Sequence, residues 1–512
     1  MNVTAFEDRI GIVNDLLNAS SMLVWDSRTM MPPGGVASRG RQIATLTILA
    51  RQTLIADETR RAVDEAARAV AGEPEDSVGR RAVAQTQAAI DHHLRIPEAL
   101  EQRRAELRTT AEAAWVKARA EGDFSQFEPY LAETVDLARQ LADAIGYTAH
   151  PYDAMLSLYE PGETVETLNT LFAELRASLR PLVHAIGAAP QPDISILARD
   201  YPEDLQRAFG LRIAERFGYD SARGRLDTTI HPFEISFTRN DVRITTRYDR
   251  HNLVTALQGI MHEAGHGIYE QGTDPAHTRT ALATDLIGLY AVGGTSFGSH
   301  ESQSRLWENR VGRSRRFWEL HYTDLQANFP DALGDVPMDA FYRAFNAVRP
   351  GAIRTEADEV TYDFHVMLRV DIERGLMDGS IRTRDLPELW NAAMLRDLGV
   401  RVANDRAGVL QDIHWSVGYI GSFCTYTIGN VMSAQLYAAA LDTDSAVAQG
   451  LETGDYASLR GWLTQNVYRH GRRFTRDELL VRATGRPLDP APYTAYLTSK
   501  YRLLYGLDPS LT

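Results

Sequence analysis

The sequence contains one cysteine, an excess of acidic over basic residues and no long uninterrupted apolar run. Cys424 has no second cysteine to pair with, so an internal disulfide framework is excluded and a reducing compartment is favoured. Lys and Arg total 54 against 68 Asp and Glu, a formal net charge of −14, which argues against nucleic-acid binding. No apolar run reaches the length of about 18 residues that a membrane span needs. Since the first residues also lack the pattern of a signal peptide, we expect a soluble cytoplasmic protein.

Helix-forming residues dominate most of the chain. The region from Asp57 to about Glu121 is rich in Ala, Arg, Glu and Leu. Gly72-Glu73-Pro74 interrupts it, which predicts a turn between two long helices. Helical periodicity resumes at about Asn252 and continues towards the C-terminus. The pattern predicts a mainly α fold without internal repeats.

One β signal lies in the middle of the chain. Ile230–Phe237 and Val242–Tyr248 alternate in polarity and carry β-branched or aromatic residues. Thr238–Asp241 between them suits a tight connection. The pattern predicts a hairpin at about residues 228–248.

The motif H-E-x-x-H occurs at Met261-His262-Glu263-Ala264-Gly265-His266. On a helix, positions i and i+4 share a face, so the imidazoles of His262 and His266 can bind one tetrahedral Zn²⁺. Glu263 then lies beside the metal, where it can take a proton from bound water. Apolar residues at three- and four-residue steps around the motif favour a helix here.

A third metal ligand is needed, and no third histidine follows in the extended form of the motif. Two glutamates downstream, Glu301 and Glu308, lie on one face of a helix that is expected to begin after Gly298. Spacing alone leaves the choice between them open.

Several further short sequence motifs, called blocks below, are distributed over most of the chain. They are Trp25-Asp26, Met31-Pro32-Pro33-Gly34-Gly35, His231-Pro232-Phe233, Asp241-Val242-Arg243-Ile244-Thr245, His300-Glu301-Ser302-Gln303, Ile353-Arg354-Thr355-Glu356-Ala357-Asp358 and Gly408-Val409-Leu410-Gln411-Asp412-Ile413-His414-Trp415. With H-E-x-x-H in place among them, the sequence resembles the thermostable carboxypeptidase family, the Taq-type metallocarboxypeptidases. Several blocks in this order are much more specific than one five-residue motif.

The resemblance implies a role for each matching position. Glu301 becomes the third zinc ligand beside His262 and His266, and Glu263 becomes the general base and later the proton donor. Arg354 is expected to hold the C-terminal carboxylate of the substrate, since guanidinium forms a bidentate fork to a carboxylate. Asp358, one turn later if the stretch is helical, is expected to orient it. The alternative for Arg354 is a structural ion pair with Asp358 or Glu356.

Further substrate contacts follow from the same blocks. His231 and Arg243, on the hairpin, either contact the peptide in the groove or only brace the hairpin. His414 and Tyr426 are candidates for hydrogen bonds to the scissile carbonyl or its oxyanion. Gln411 and Asp412 are expected to support His414.

The implied protein is a zinc metallocarboxypeptidase that releases single C-terminal amino acids with broad specificity and disfavours proline. Co²⁺ or Mn²⁺ could occupy the same ligands. The implied fold is one domain over residues 1–512, a helical body at about 126–512 split by a deep substrate groove, with lid helices at about 1–125. A homodimer acting on peptides with a free C-terminus is expected. The alternatives are an endo-oligopeptidase or dipeptidyl carboxypeptidase on the same scaffold, or a catalytically silent peptide-binding protein.

Two segments depart from the family pattern. The segment 267–300 is longer than expected, which predicts an extra helical turn near the groove. Ser422 and Cys424 stand where the pattern has Tyr and Pro, so substrate contacts there are expected to differ. Neither departure affects the proposed ligands or the base.

Overall fold

The computed structural model describes residues 3–508 and has a mainly α fold, as predicted. Three short strands form its single named sheet within these residues. In chain order the α-helices are α1 Thr4–Thr29, α2 Val36–Ile55, α3 Asp57–Val70, α4 Val78–Arg95, α5 Glu98–Glu121, α6 Glu128–Ile145, α7 Pro151–Leu156, α8 Val165–Ala188, α9 Glu203–Phe217, α10 Leu253–Gly272, α11 Phe297–Arg305, α12 Arg315–Asn328, α13 Pro330–Leu333, α14 Met338–Phe345, α15 Tyr362–Asp378, α16 Leu386–Leu398, α17 Cys424–Thr443, α18 Ser445–Thr453, α19 Ala457–Asn466, α20 Arg476–Thr484 and α21 Ala491–Tyr505.

The prediction of two helices in residues 57–121 is wrong, because the structure has three, α3, α4 and α5. The turn at Gly72-Glu73-Pro74 is present, but α4 ends at Arg95 and α5 begins at Glu98. Pro97 stands at the N-cap of α5 with an extended backbone. Because proline has no N–H and disfavours helical conformation in the residue before it, the helix cannot run through.

The predicted hairpin is confirmed and gains a third strand. β2 (Glu234–Thr238) pairs antiparallel with β3 (Asp241–Thr246), with a register shift between Ser236 and Thr238. β1 (Gly224–Thr228) pairs with β3 in parallel, so β3 lies in the middle of the sheet. Val242 and Ile244, two residues apart and therefore on one face of β3, are fully buried.

The chain divides into two compact units, each assembled from three chain segments. Unit 1 comprises the residues up to His93, 192–345 and 429–489. Its core contains a group of contacting aromatic rings: Phe217 lies 4.9 Å from Trp307 and 5.3 Å from Tyr456 between ring centroids. H-E-x-x-H, Glu301 and the sheet all belong to this unit.

The segment 267–300 packs on the N-terminal helices within unit 1. Leu282 and Leu286 join a buried cluster with apolar side chains of α1, α2, α3 and α4. Asn14 of α1 donates a hydrogen bond to Thr284. The predicted extra helical turn corresponds to the 3₁₀ turns Pro275–His277 and Ala281–Ala283.

Unit 2 comprises residues 94–191, 346–428 and 490–512. Its C-terminal helix α21 is anchored by a buried ion pair in which Lys500 Nζ lies 2.6 Å from Glu359 Oε2. Tyr501 donates to the same oxygen at 2.9 Å, and Tyr496 donates to Glu359 Oε1 at 2.9 Å. The network supplies the hydrogen bonds that a buried carboxylate requires.

Lys500→Met is expected to lower the free energy of unfolding by roughly 3–5 kcal/mol, because the substitution leaves the Glu359 charge buried without its cation. Urea unfolding followed by fluorescence measures the change. The double variant Lys500→Met/Glu359→Gln should recover part of the loss, since no buried charge is then left uncompensated. A single variant as stable as the native chain would show that the pair does not hold α21.

No helix within residues 3–508 combines the length and the apolar character needed to cross a bilayer.

Candidate metal centre

The metal-binding motif lies on α10, and the third predicted ligand lies on α11, both in unit 1. Asn252 caps α10 by accepting a hydrogen bond from Thr255 N, and Ser296 caps α11 by accepting one from Ser299 N. The two helices approach closely at Gly265, inside the motif. A Cβ at this position would lie 2.5 Å from Gln303 O and 2.6 Å from Ser304 Cα. Glycine is therefore required for α11 to bring Glu301 to the histidines.

Three donor atoms converge at this point. Glu301 Oε2 lies 3.3 Å from His266 Nε2 and 3.6 Å from His262 Nε2. Bonds of about 2.0–2.2 Å to a tetrahedral Zn²⁺ place ligand atoms roughly 3.3–3.6 Å apart, so the spacing fits one such ion. Two imidazoles and one carboxylate are also the donors of catalytic zinc sites. Within residues 3–508 this is the one group of three that could hold a metal ion.

Glu308 contacts His262 on the side opposite the three converging donor atoms. Its Oε2 lies 2.9 Å from His262 Nδ1, so the carboxylate orients the ring whose Nε2 faces Glu301. Glu308 lies in a π-helical segment, Leu306–Gly312, that follows α11 directly. Spacing alone left open which of the two glutamates approaches the histidines. In the structure Glu301 faces both histidines, and Glu308 lies behind His262.

His266 is held by a stacked ring. His300 lies nearly parallel to it, with 4.5 Å between ring centroids and 17° between planes. His300 Nε2 in turn lies 2.9 Å from Glu270 Oε1, and Glu270 accepts hydrogen bonds from Gly293 N and Gly294 N. Each metal-facing imidazole therefore has its own support, a carboxylate for His262 and a ring for His266.

The electrostatics of the centre favour a bound cation. Burial lowers the pKa of His266 to about 3, which keeps the imidazole neutral as a ligand requires. For His262, burial lowers the pKa, but the carboxylates of Glu301 and Glu308 have the larger combined effect. The pKa of His262 is therefore raised. Burial raises the pKa of Glu301, but Arg305 and the histidines bring it well below its usual range. An ionised carboxylate thus faces two imidazoles.

Glu263 is buried, with 6% of its surface exposed. Burial raises the pKa of its carboxyl to about 7; His262 lowers this pKa and Glu301 raises it, both with smaller effects. A carboxyl group that titrates near neutrality can both accept and return a proton, which is what a general base and acid must do.

Arg305 contacts both carboxylates of the centre. Its Nε donates to Glu301 Oε1 at 2.7 Å, and its Nη1 lies 3.4 Å from Glu308 Oε2. Arg313 Nη2 lies 3.4 Å from the other oxygen of Glu308. Arg305 was not among the predicted site residues, although its i+4 spacing from Glu301 is a recognisable ion-pair signal on a helix.

Arg354 lies in unit 2, buried in a cluster of charged and aromatic side chains. Its Nε and Nη2 donate to Asp412 Oδ1 at 3.1 and 2.8 Å, and its Nη1 donates to Tyr362 OH at 2.8 Å. Arg369 donates to the other oxygen of Asp412 at 2.7 Å. Two buried guanidinium groups therefore share one carboxylate, which leaves a net positive charge that suits an anionic ligand.

The predicted partners of Arg354 are wrong. Asp358 accepts hydrogen bonds from Arg349 N, Val360 N and Thr361, because it caps the turn before α15. Arg354 lies in a 3₁₀ turn, so the helical one-turn spacing to Asp358 does not apply.

The predicted support of His414 is also wrong. Asp412 binds the two arginines, and Gln411 Oε1 accepts from Arg354 N at 2.8 Å. His414 Nε2 instead lies 3.1 Å from Tyr426 OH.

His414 and Tyr426 belong to the same cluster as Arg354. The guanidinium of Arg354 lies 4.8 Å from the ring centroid of Tyr426 and 5.7 Å from that of Phe423. His414 stacks on Phe423 at 4.3 Å between centroids. Arg354, His414 and Tyr426, three of the residues predicted to contact the substrate, therefore lie in one cluster.

The two hairpin candidates lie elsewhere, in unit 1. Arg243 Nε donates to Asp241 Oδ1 at 2.9 Å, and its guanidinium lies 4.5 Å from the ring centroid of Trp25. These contacts favour the alternative in which Arg243 braces the hairpin. His231 is exposed just before β2.

The two positions that depart from the family pattern are buried next to the arginine cluster. Ser422 donates to Tyr419 O at 3.0 Å, and the Cys424 thiol lies 3.4 Å from Gly421 O. Both side chains are engaged with the loop that leads into α17.

Comparison with known proteins gives the family. Residues 5–501 match the model described as carboxypeptidase Taq (M32) metallopeptidase. Carboxypeptidase 1 of Bacillus subtilis is 36% identical over 503 residues, 98% of each chain. Thermostable carboxypeptidase 1 of Thermus thermophilus is 38% identical over 506 residues, 96% of each chain. Among solved structures, the M32 carboxypeptidase from Deinococcus radiodurans R1 has a TM-score of 0.92 at 40% identity, covering 98% of this chain and 99% of that one.

Proposed function

Because the chain belongs to the carboxypeptidase Taq (M32) metallopeptidase family and is therefore a metallocarboxypeptidase, we propose that it uses zinc to remove single amino acids from peptide C-termini. The proposal includes broad specificity with proline disfavoured. The observation that carries it is the convergence of His262, His266 and Glu301 on one point, with the buried Glu263 on the same helix.

His262, His266 and Glu301 would hold the metal. When bound, zinc supplies a Lewis acid for the scissile carbonyl and makes water more acidic. Co²⁺ or Mn²⁺ would fit the same donors, but two imidazoles and a single carboxylate favour zinc.

Glu263 is proposed to move the proton in both halves of the reaction. It accepts a proton from the attacking water as the oxygen bonds to the carbonyl carbon. It then delivers that proton to the leaving amine as the carbon–nitrogen bond breaks. A pKa of about 7 suits both directions of transfer near neutral pH.

Arg354 is proposed to bind the terminal carboxylate of the substrate. Asp412, Tyr362 and Gln411 hold its backbone and guanidinium in one orientation. Among the described residues, three of its five N–H donors have protein acceptors, which leaves one N–H on each terminal nitrogen for a ligand. His414 and Tyr426 are proposed as further substrate contacts, and His231 and Arg243 remain weaker candidates.

Zinc-loaded protein with an unblocked peptide, followed by mass spectrometry, tests the proposal. We expect a ladder shortened from the C-terminus by one residue at a time, absent after chelation and restored by zinc. The same peptide with a C-terminal amide is the matched control and should resist cleavage.

Other product patterns would favour the alternatives. Internal fragments would support an endo-oligopeptidase, and released dipeptides a dipeptidyl carboxypeptidase; either would remove the role given to Arg354. Binding of peptide without cleavage by the metal-loaded protein would support a silent binding protein. The cytoplasmic location, the homodimer, and the arrangement of lid helices, body and groove stay predictions.

A further inference from the structure

The two oxygens of Glu301 have different partners. Oε2 faces both histidine Nε2 atoms at 3.3 and 3.6 Å, whereas Oε1 accepts a hydrogen bond from Arg305 Nε at 2.7 Å. Side-chain exposure is 9% for Glu301 and 13% for Arg305, so water screens this ion pair little. The oxygen that Arg305 holds is therefore not the one that makes the 3.3 and 3.6 Å contacts with the histidines.

Arg305 also contacts the carboxylate behind His262. Its Nη1 lies 3.4 Å from Glu308 Oε2, the oxygen that is 2.9 Å from His262 Nδ1. One guanidinium therefore spans the carboxylate that faces the metal position and the carboxylate that orients a metal-facing imidazole. A lysine could not do this equally well, because its ammonium is a point charge, whereas guanidinium is a fixed fork of donors.

Two further contacts restrict the Glu301 side chain: Ser304 Oγ donates to Glu301 Oε2, the oxygen that faces the histidines, at 3.3 Å, and a backbone packs against the side-chain stem. Gly429 allows close approach here, since a Cβ at that position would lie 2.7 Å from Glu301 Cγ. The contact limits where the side-chain stem can go but does not select which oxygen points at the histidines. The 2.7 Å hydrogen bond from Arg305 holds Oε1, and it is shorter than the 3.3 Å contact of Ser304 with Oε2.

We propose that Arg305 is a positioning residue that restricts Glu301 to one metal-binding oxygen and so keeps a coordination position open for water and substrate. The inference rests on the proposed function, since it requires that a divalent metal occupy the site. A carboxylate that used both oxygens would fill the position that a catalytic zinc site must leave vacant.

Positioning and simple charge effects predict opposite results, which makes the inference testable. Arg305 is a cation near the metal position, so by Coulomb repulsion alone its removal should strengthen metal binding. If Arg305 acts by positioning Glu301 and Glu308, its removal should weaken binding, by about 10- to 100-fold as is typical for residues that support metal ligands.

The experiment compares the native chain with Arg305→Gln, Arg305→Lys and Arg313→Gln. Arg313 is the matched control, because it contacts Glu308 at 3.4 Å, whereas Arg305 contacts both Glu308 and Glu301. Zinc affinity is measured by competition with a chromogenic chelator, and the zinc shell by X-ray absorption. Melting temperatures of the apo proteins check folding.

For Arg305→Gln we expect zinc affinity lowered by about 10- to 100-fold and an additional oxygen in the zinc shell. Arg305→Lys should be intermediate, and Arg313→Gln should keep the native shell. Should Arg305→Gln fail to fold, Arg305→Lys decides by the same two measurements.

Two contrary outcomes are distinguishable. If Arg305→Gln binds zinc with the same shell as the native chain, Arg305 has no positioning role, whatever the affinity, although the zinc site itself is present. If the native chain takes up no zinc, the proposed function fails first, and this inference with it.

Discussion

Replacing Glu263 by Gln is expected to lower kcat by about 10²- to 10⁴-fold, the usual contribution of a positioned general base, while zinc stays bound. Glutamine has nearly the same shape but cannot accept the proton of the attacking water. The three metal-facing donors belong to other residues, so metal content should not change. Steady-state kinetics on an unblocked peptide and metal analysis of the same sample measure the two quantities.

Glu263→Asp is the matched control for this prediction, because it keeps a carboxylate but shortens its reach. We expect its kcat to lie between those of the native chain and Glu263→Gln. Near-native kcat in Glu263→Gln with zinc retained would rule out Glu263 as the base. Loss of zinc from that variant would instead indicate a structural role in the metal centre.

Replacing Arg354 by Ala is expected to lower kcat/KM on a peptide with a free C-terminus by at least about 30-fold, roughly 2 kcal/mol, because a buried charge pair with the substrate is lost. The same substitution should change the residual cleavage of the C-terminal amide much less. The ratio of the two kcat/KM values is therefore the diagnostic quantity, since it cancels general damage to the enzyme.

Arg369→Lys is the control for structural disturbance around Arg354. Arg369 binds the same carboxylate, Asp412, and is fully buried. If Arg354 only stabilises the cluster, both variants should lower cleavage of acid and amide peptides in parallel. If Arg354→Ala keeps the native ratio of kcat/KM values for the free-acid and amide peptides, Arg354 does not bind the substrate carboxylate.

Local patterns predicted much of the fold and of the metal centre. The i, i+4 spacing of His262 and His266 requires only that the segment be helical, and α10 is a helix. The hairpin was visible because alternation and turn residues act over a few positions. The break at Pro97 is equally local, but strong helix formers on both sides of the proline favour a continuous helix in the sequence pattern.

Contacts between distant parts of the chain were predicted poorly. Asp412 lies 58 residues from Arg354 and 43 from Arg369, and periodicity gives no information about such pairings. Sequence analysis therefore assigned to Arg354 a neighbour along the chain, Asp358, which instead satisfies the backbone N–H groups before α15.

The sequence by itself determined the helical class, the histidine pair with the adjacent Glu263, and the family, because these depend on residue order and local spacing. The family resemblance pointed to Glu301 as the third donor, and only the tertiary structure showed that Glu308 lies behind His262. It also decided that Arg305 takes the second oxygen of Glu301. The reason is physical: both glutamates lie on continuous helical chain, and the close approach of α11 to α10 at Gly265 selects which one reaches the donor cluster.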